Sequence, residues 1–113
     1  MFDEVIGYWP KELFSHLNNG ASLVRYGGNT FESPDGISPP MGNGFFPVAD
    51  FKKTAHFNNV VVINSDYKRV YIEGRKIRLY VDSYNCFRAT YWGYTKSTGE
   101  AFSFGGPGGN CGF

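Results

Sequence analysis

Apolar and polar residues alternate along most of the second half of the chain, and this period of two predicts β-strands. The alternating stretches run over residues 77–81, 87–92 and 100–104. A continuous apolar run at Val60–Ile63 predicts another strand, buried on both faces, and Lys68–Ile72 is predicted to be the strand that returns beside it. Turn-forming residues separate these stretches, as is typical of an all-β domain.

The first half of the chain is predicted to hold one helix and one strand. Pro10–Leu17 has a proline suited to the start of a helix and an apolar face, and Gly20 follows it as a stop signal. Ala21–Phe31 is predicted to be a strand interrupted at Gly27 and Gly28, where we expect either a bulge or a close approach of the backbone to another group.

Two further segments are dense in turn residues. The loop at 33–44 is longer than most connections in compact domains, so it is expected either to be functional or to pack against something that this chain does not contain. The tail at 105–113 contains five glycines in its first eight residues and cannot hold regular structure without an anchor.

Composition narrows the class of protein. With 113 residues, 42% hydrophobic and 19% charged, the chain is predicted to form one domain that is neither disordered nor membrane-embedded. Aromatic residues make up 19%, beside 15 Gly and 6 Pro, and this combination favours strands with tight connections. A net charge of +1 gives no reason to expect nucleic-acid binding. The first residues lack the basic and apolar regions of a signal peptide.

The two cysteines, Cys86 and Cys111, exclude a cysteine-rich zinc module. A bridge between them would close a loop of about 25 residues and contribute roughly 3 kcal/mol on the chain-entropy model. We expect this bridge, which would indicate an oxidising compartment; the alternative is two free buried thiols in a reducing one.

No familiar catalytic or metal-binding pattern is present. His16 and His56 lie on different predicted elements without carboxylates at ligand spacing, which argues against a metal site and against a histidine-activated nucleophile. Gly105–Gly109 neither opens a helix nor precedes a lysine, so a phosphate loop is not predicted. The acidic residues are scattered and mostly beside turns. No cofactor is expected, and the residues alone predict a β domain without an assigned activity.

Four segments, in order, resemble the neprosin family and together cover essentially the whole chain. They are Gly7–Phe14, Arg25–Asn29, Ser38–Pro47 and Gly105–Cys111. The resemblance implies a secreted plant protein, a β-sandwich of two antiparallel sheets with one short helix near the N-terminus, and a disulfide between Cys86 and Cys111. Active members of the family are glutamic peptidases that cleave after proline.

The resemblance also implies that residues 1–113 correspond to the C-terminal half of a domain about twice this size. One of the two catalytic glutamates then lies outside this chain. The second belongs to a Trp-Gly-Gly-Glu strand that matches Tyr26–Asn29, so Asn29 occupies its place. An amide does not exchange protons at working pH, and Glu32, three positions further on a strand, would face the other way. We therefore expect a chain that is not catalytic by itself.

Two alternatives remain open at this stage. The chain is part of an active peptidase when the N-terminal half of the domain is present, or it is a non-catalytic module that binds proline-containing peptides or the cell wall. A peptide groove would be lined by Tyr8, Trp9 and Tyr26, with Gly27 and Gly28 allowing the peptide to approach the backbone. Packing in the core is the competing explanation for these aromatic residues.

Overall fold

The computed structural model describes residues 6–112. Five strands and two 3-10 helices form its regular structure. The strands are β1 (Ala55–Phe57), β2 (Val61–Ile63), β3 (Arg69–Tyr71), β4 (Arg88–Thr95) and β5 (Gly99–Gly105), and the 3-10 helices are Lys11–Leu13 and Gly74–Lys76. Within the described range, no helix is long and apolar enough to cross a membrane.

The strands form two antiparallel sheets, which confirms the all-β prediction. The main sheet has the order β1-β5-β4, and a separate hairpin pairs β2 with β3. In the register of the main sheet, Phe102 of β5 lies between Phe57 of β1 and Tyr91 of β4. The predicted strand pair at the end of the chain is therefore confirmed, with a turn at residues 96–98.

The two faces of the main sheet differ in chemistry. One face carries Phe57, Phe102 and Phe104, whose rings contact one another. On the other face Ser103 is fully buried, and its hydroxyl accepts a hydrogen bond of 2.7 Å from the indole Nε1 of Trp92. A bulge in β4 between Tyr91 and Gly93 inserts Trp92 as an extra residue, which re-aims its side chain toward Ser103.

The glycine-rich tail is anchored by a disulfide. Cys86 and Cys111 form a disulfide with an S–S distance of 2.03 Å and Cα atoms 5.8 Å apart, so the predicted bridge is confirmed. The tail also pairs with the long loop, through Gly109 with Ser38 and Gly106 with Met41. The loop at 33–44 therefore packs against the tail of its own chain, a partner that was not anticipated from the sequence.

The prediction of a helix over Pro10–Leu17 is wrong beyond its first turn. Only Lys11–Leu13 is helical, and Phe14 is already extended, with φ −117° and ψ 122°. Leu13 is 64% exposed and Leu17 53% exposed, so the apolar face of this segment has little to pack against. A helix this short is marginal without tertiary packing, because nucleation costs more than two turns of hydrogen bonds return.

Two predicted strands are absent from the structure. Ala21–Phe31 and residues 77–81 are irregular, and neither pairs with a neighbour. Several of their apolar residues are largely exposed, among them Phe31 at 81% and Leu79 at 51%. An alternating pattern forms a strand only when another strand accepts its backbone hydrogen bonds, and the described residues supply none here.

The strand at Val60–Ile63 is confirmed in place but not in its environment. β2 covers Val61–Ile63 and pairs with β3, as expected for a hairpin. Val60 is buried at 6% exposure, whereas Ile63 is 59% exposed. The prediction of burial on both faces is therefore wrong, because β2 belongs to a two-stranded hairpin rather than to the centre of a sheet.

Candidate functional site

An aromatic cluster on the main sheet holds the segment around Tyr26. The Tyr26 ring meets Phe57 and Phe102 edge-on, with centroids 6.0 Å apart in both pairs. Phe57 and Phe102 stack at 4.9 Å on adjacent strands, and Phe104 lies 5.6 Å from Phe57. Edge-on contacts align the positive ring edge with the negative ring face, so Tyr26 is fixed in orientation as well as position.

Gly28 makes the close backbone approach that the sequence indicated. A Cβ atom at this position would lie 2.6 Å from Sδ and 2.7 Å from Cγ of Met41, and 2.9 Å from Cε2 of Phe104. Gly27, by contrast, has open space around it and φ of +156°. The approach is made to side chains of the chain itself, and no larger residue fits at position 28 without moving Met41.

Asn29 follows Gly28 in an irregular, exposed segment. The expectation that it lies on a strand is wrong, because Ala21–Phe31 has no strand beside it. Its backbone nevertheless starts from a fixed point, since Tyr26 is held by two rings and Gly28 by Met41. The structure therefore brings Tyr26 and Gly28 to the aromatic face of the sheet, and Asn29 follows them directly in the chain.

Tyr8 and Trp9 lie before the first 3-10 helix and are 84% and 79% exposed. Across residues 6–112, neither ring stacks on another aromatic ring, whereas Tyr26 contacts two. Core packing is therefore not the role of Tyr8 or Trp9 in this structure. Tyr26, 38% exposed, combines packing with an accessible edge.

Sequence reasoning missed a pair on the aromatic face. Glu100 of β5 is buried at 7% exposure, and its carboxylate accepts a hydrogen bond from the phenol of Tyr91 on β4. Burial and the adjacent carboxylate raise the pKa of Tyr91 from 10.0 to about 12. The signal was present in the alternation of the strand, because Glu100 shares the parity of Phe102 and Phe104 and so lies on the same face of the sheet.

Other carboxylates have local partners. The hydroxyl of Ser33, 2.6 Å away, and the backbone N–H of Ile37 lower the pKa of Asp35 within a tight turn. Hydrogen bonds from Lys76 and Arg75 lower the pKa of Glu73 beside the second 3-10 helix. The hydrogen bonds described for residues 6–112 join no two carboxyl groups, so they show no glutamate pair that shares a proton.

The ring of His56 is packed against neighbouring groups of the chain. Its ring stacks on Phe51 with centroids 4.7 Å apart, and its Nδ1 lies 3.0 Å from the carbonyl oxygen of Thr54. A search of the described residues finds no group of three or more His, Cys, Asp or Glu side chains arranged to hold a metal ion.

A separate cleft of about 340 Å³ opens at the far end of the β4–β5 hairpin. Tyr71 of β3 and Tyr94 of β4 form its aromatic wall, with ring centroids 5.1 Å apart. Its lining is polar and basic rather than acidic, and consists of Asn58, Asn59, Arg69, Tyr71, Tyr94, Lys96, Ser97, Thr98 and Gly99. The cleft lies away from the aromatic cluster and shares no residue with it.

A comparison with known protein families identifies the family of the chain. The family model described as Neprosin matches residues 1–107. The chain belongs to the neprosin family. No solved structure matches the chain. The neprosin match spans the aromatic cluster, Asn29 and the Tyr91–Glu100 pair.

Proposed function

We propose that this neprosin-family chain does not hydrolyse peptide bonds by itself. The observation that carries the proposal is Asn29, which takes the place of the second catalytic glutamate implied by the resemblance to the family's peptidases. A glutamate can act as general acid or base, whereas an amide forms hydrogen bonds without exchanging a proton at working pH.

The environment of the remaining carboxylates supports the same proposal. Asp35 and Glu73 are engaged in local turns, and their lowered pKa values keep them ionised rather than ready to donate a proton. Glu100 is buried against Tyr91 instead of facing an open cleft. A glutamic peptidase needs two carboxyl groups that reach one scissile bond, and these residues serve the fold instead.

A cleavage assay tests the proposal. The purified chain, incubated with a fluorogenic proline-containing peptide at acidic pH, is expected to release no product. Asn29→Glu is expected to leave it inactive, because the resemblance matches no residue of this chain to the first glutamate, and Asn19→Glu serves as the matched exposed control. Post-proline cleavage that disappears in Glu32→Gln or Glu12→Gln would overturn the proposal.

A second candidate function, binding of proline-containing peptides without cleavage, is favoured by the exposure of Tyr8 and Trp9. Exposed aromatic rings pack well against the flat proline rings of an extended peptide. Trp92→Phe leaves Trp9 as the single tryptophan, so its fluorescence reports on this segment alone. We expect a saturable change when a proline-rich peptide is added, and none when the prolines are replaced by alanine; equal responses would exclude the role.

We also propose that the protein works in an oxidising, extracellular compartment. The disulfide between Cys86 and Cys111 supports this, because such bridges persist outside the reducing cytosol. Protein isolated from its natural source with thiols blocked at lysis is expected to show no free thiol. Two blocked cysteines per chain would contradict the proposal.

A further inference from the structure

We propose that the Cys86–Cys111 disulfide positions the segment Tyr26–Asn29, and that Met41 is the positioning residue that links the two. The inference rests on the proposed function in treating this segment as part of the peptide-binding surface. It concerns how that surface is held, and it follows from a chain of contacts that runs from the bridge through the tail and the long loop to Gly28.

The first link is the attachment of the tail, residues 105–112, to Cys86 by the disulfide. Cys86 is 2% exposed and lies two residues before β4, so it is buried at the start of the sheet. The bridge ties Cys111 to it, and the hydroxyl of Ser83 donates a 3.2 Å hydrogen bond to the carbonyl of Cys111. The N–H of Gly108 donates to the carbonyl of Cys86 at 3.4 Å. The tail is thus fixed at both of its ends.

The second link is the pairing of the tail with the loop at 33–44. Ser38 and Gly109 exchange two backbone hydrogen bonds of 2.9 Å. Met41 and Gly106 exchange two more, of 3.0 Å and 3.2 Å. The loop is also held at Asn43, whose side-chain amide donates a 2.8 Å hydrogen bond to the carbonyl of Lys53, and at Gly42, which lies close to Ala55. The non-local backbone hydrogen bonds described for Met41 itself, however, all go to the tail.

The third link joins Met41 to the segment that holds Asn29. Gly28 lies so close to the Met41 side chain that a Cβ atom would overlap its Sδ and Cγ atoms. Gly28 itself forms no described hydrogen bond, so this contact and the edge of Phe104 determine its position. Tyr26 is held separately by its two ring contacts, which leaves Gly28 and Asn29 as the part governed by Met41.

Reduction of the Cys86–Cys111 disulfide removes the first contact of this series. A dithiol gives two electrons and two protons to the bridge, the S–S bond breaks into two thiols, and the dithiol closes to its own disulfide. The freed tail gains the conformational entropy of its glycines, which weakens the two pairs with the loop. Met41 then loses its fixed backbone, and Gly28 and Asn29 become mobile while the β2–β3 hairpin is unaffected.

NMR on the full chain tests the inference. In the oxidised protein we expect a nuclear Overhauser contact between the Met41 side chain and the Gly28 α-protons. After reduction with dithiothreitol this contact should disappear, and the backbone order parameter at Asn29 should fall from about 0.85 to below about 0.6. Signals of Val62 and Val70 in the hairpin serve as the internal control. An unchanged contact and order parameter would overturn the inference.

Variants at Met41 separate positioning from general loss of structure. With the bridge intact, Met41→Ala should mobilise Asn29 while the Ser38–Gly109 amides stay protected, and Met41→Leu should keep Asn29 ordered because it preserves the bulk. If reduction also unfolds the β2–β3 hairpin, the two variants test the inference without reduction. Equal backbone order parameters at Asn29 in Met41→Ala and Met41→Leu would overturn it.

Peptide affinity, measured separately on the oxidised chain through the fluorescence of Trp9, keeps this result distinct from the proposed function. Loss of the Met41–Gly28 contact on reduction in a chain that binds no peptide would refute the binding role and leave the positioning role intact. Peptide binding together with a Met41–Gly28 contact that is unchanged on reduction would support the binding role and refute the positioning role.

Discussion

The phenol of Tyr91 on β4 donates a hydrogen bond to the carboxylate of Glu100 on β5, on the same sheet face as Phe102. Glu100 is one of the most buried charged residues described, at 7% exposure, and Tyr91 is half-buried beside it. A carboxylate inside an aromatic surface is costly unless a donor satisfies it, so the two residues depend on each other.

Tyr91→Phe removes this donor and leaves the carboxylate of Glu100 without it. We expect the free energy of unfolding to fall by about 1–3 kcal/mol, the cost of an unsatisfied buried acceptor. Tyr80→Phe is the matched control, because Tyr80 is 85% exposed and its hydroxyl has no described partner; its effect should stay within about 0.5 kcal/mol. Urea denaturation measures both, and equal effects would show that the pair does not stabilise the sheet.

The pKa of Tyr91 predicts a loss of stability at high pH. Below pH 10 the phenol is protonated in both the folded and unfolded chains, and its contribution is complete. Because the folded pKa is raised to about 12 from 10.0, the unfolded chain ionises first as the pH rises, and the free energy of unfolding falls between pH 10 and 12. Denaturation across this range should show a steeper decline in the wild type than in Tyr91→Phe; parallel curves would contradict the prediction.

Gly106→Ala is expected to disrupt the packing of the tail. A Cβ atom here would overlap the carbonyl oxygen of Cys86, a backbone atom that cannot swing away. We expect a loss of about 2 kcal/mol or more in the free energy of unfolding. Gly7→Ala is the control, since nothing lies within 4 Å of its added Cβ. Thermal or urea unfolding compares the two, and a silent Gly106→Ala would mean that the tail is not packed as described.

The isolated chain is expected to self-associate. It exposes 9226 Å², whereas a folded monomer of 12.7 kDa exposes about 6,200 Å². The difference is roughly 3,000 Å² for each chain, more than one partner needs to contribute to an obligate interface of about 2,000–5,000 Å² counted over both partners. The net charge of +1 offers little repulsion between copies. Sedimentation velocity over a range of concentrations should show oligomers, and a monomer at every concentration would contradict the prediction.

Local signals in the sequence were sufficient where a segment could pair with its neighbour in the chain. β4 and β5 follow from alternating residues around a short turn, and β2 and β3 from two apolar stretches around Asn64–Asp66. Such hairpins need few long-range contacts, so pattern and turn chemistry determine them. The assignment of Asn29 to a glutamate position of the family rests on the resemblance of the residues around it and stays a prediction.

Tertiary structure decided what depends on distant partners. The helix at Lys11 ended after one turn and Ala21–Phe31 formed no strand, because neither a packing surface nor a neighbouring strand met them. The contact of Gly28 with Met41 joins residues that are apart in the chain, and no local sequence pattern predicts that they meet. The sequence by itself determined the two hairpins, whereas tertiary packing decided the surroundings of Tyr26 and Gly28, because short segments acquire a fixed conformation only from the groups that cover them.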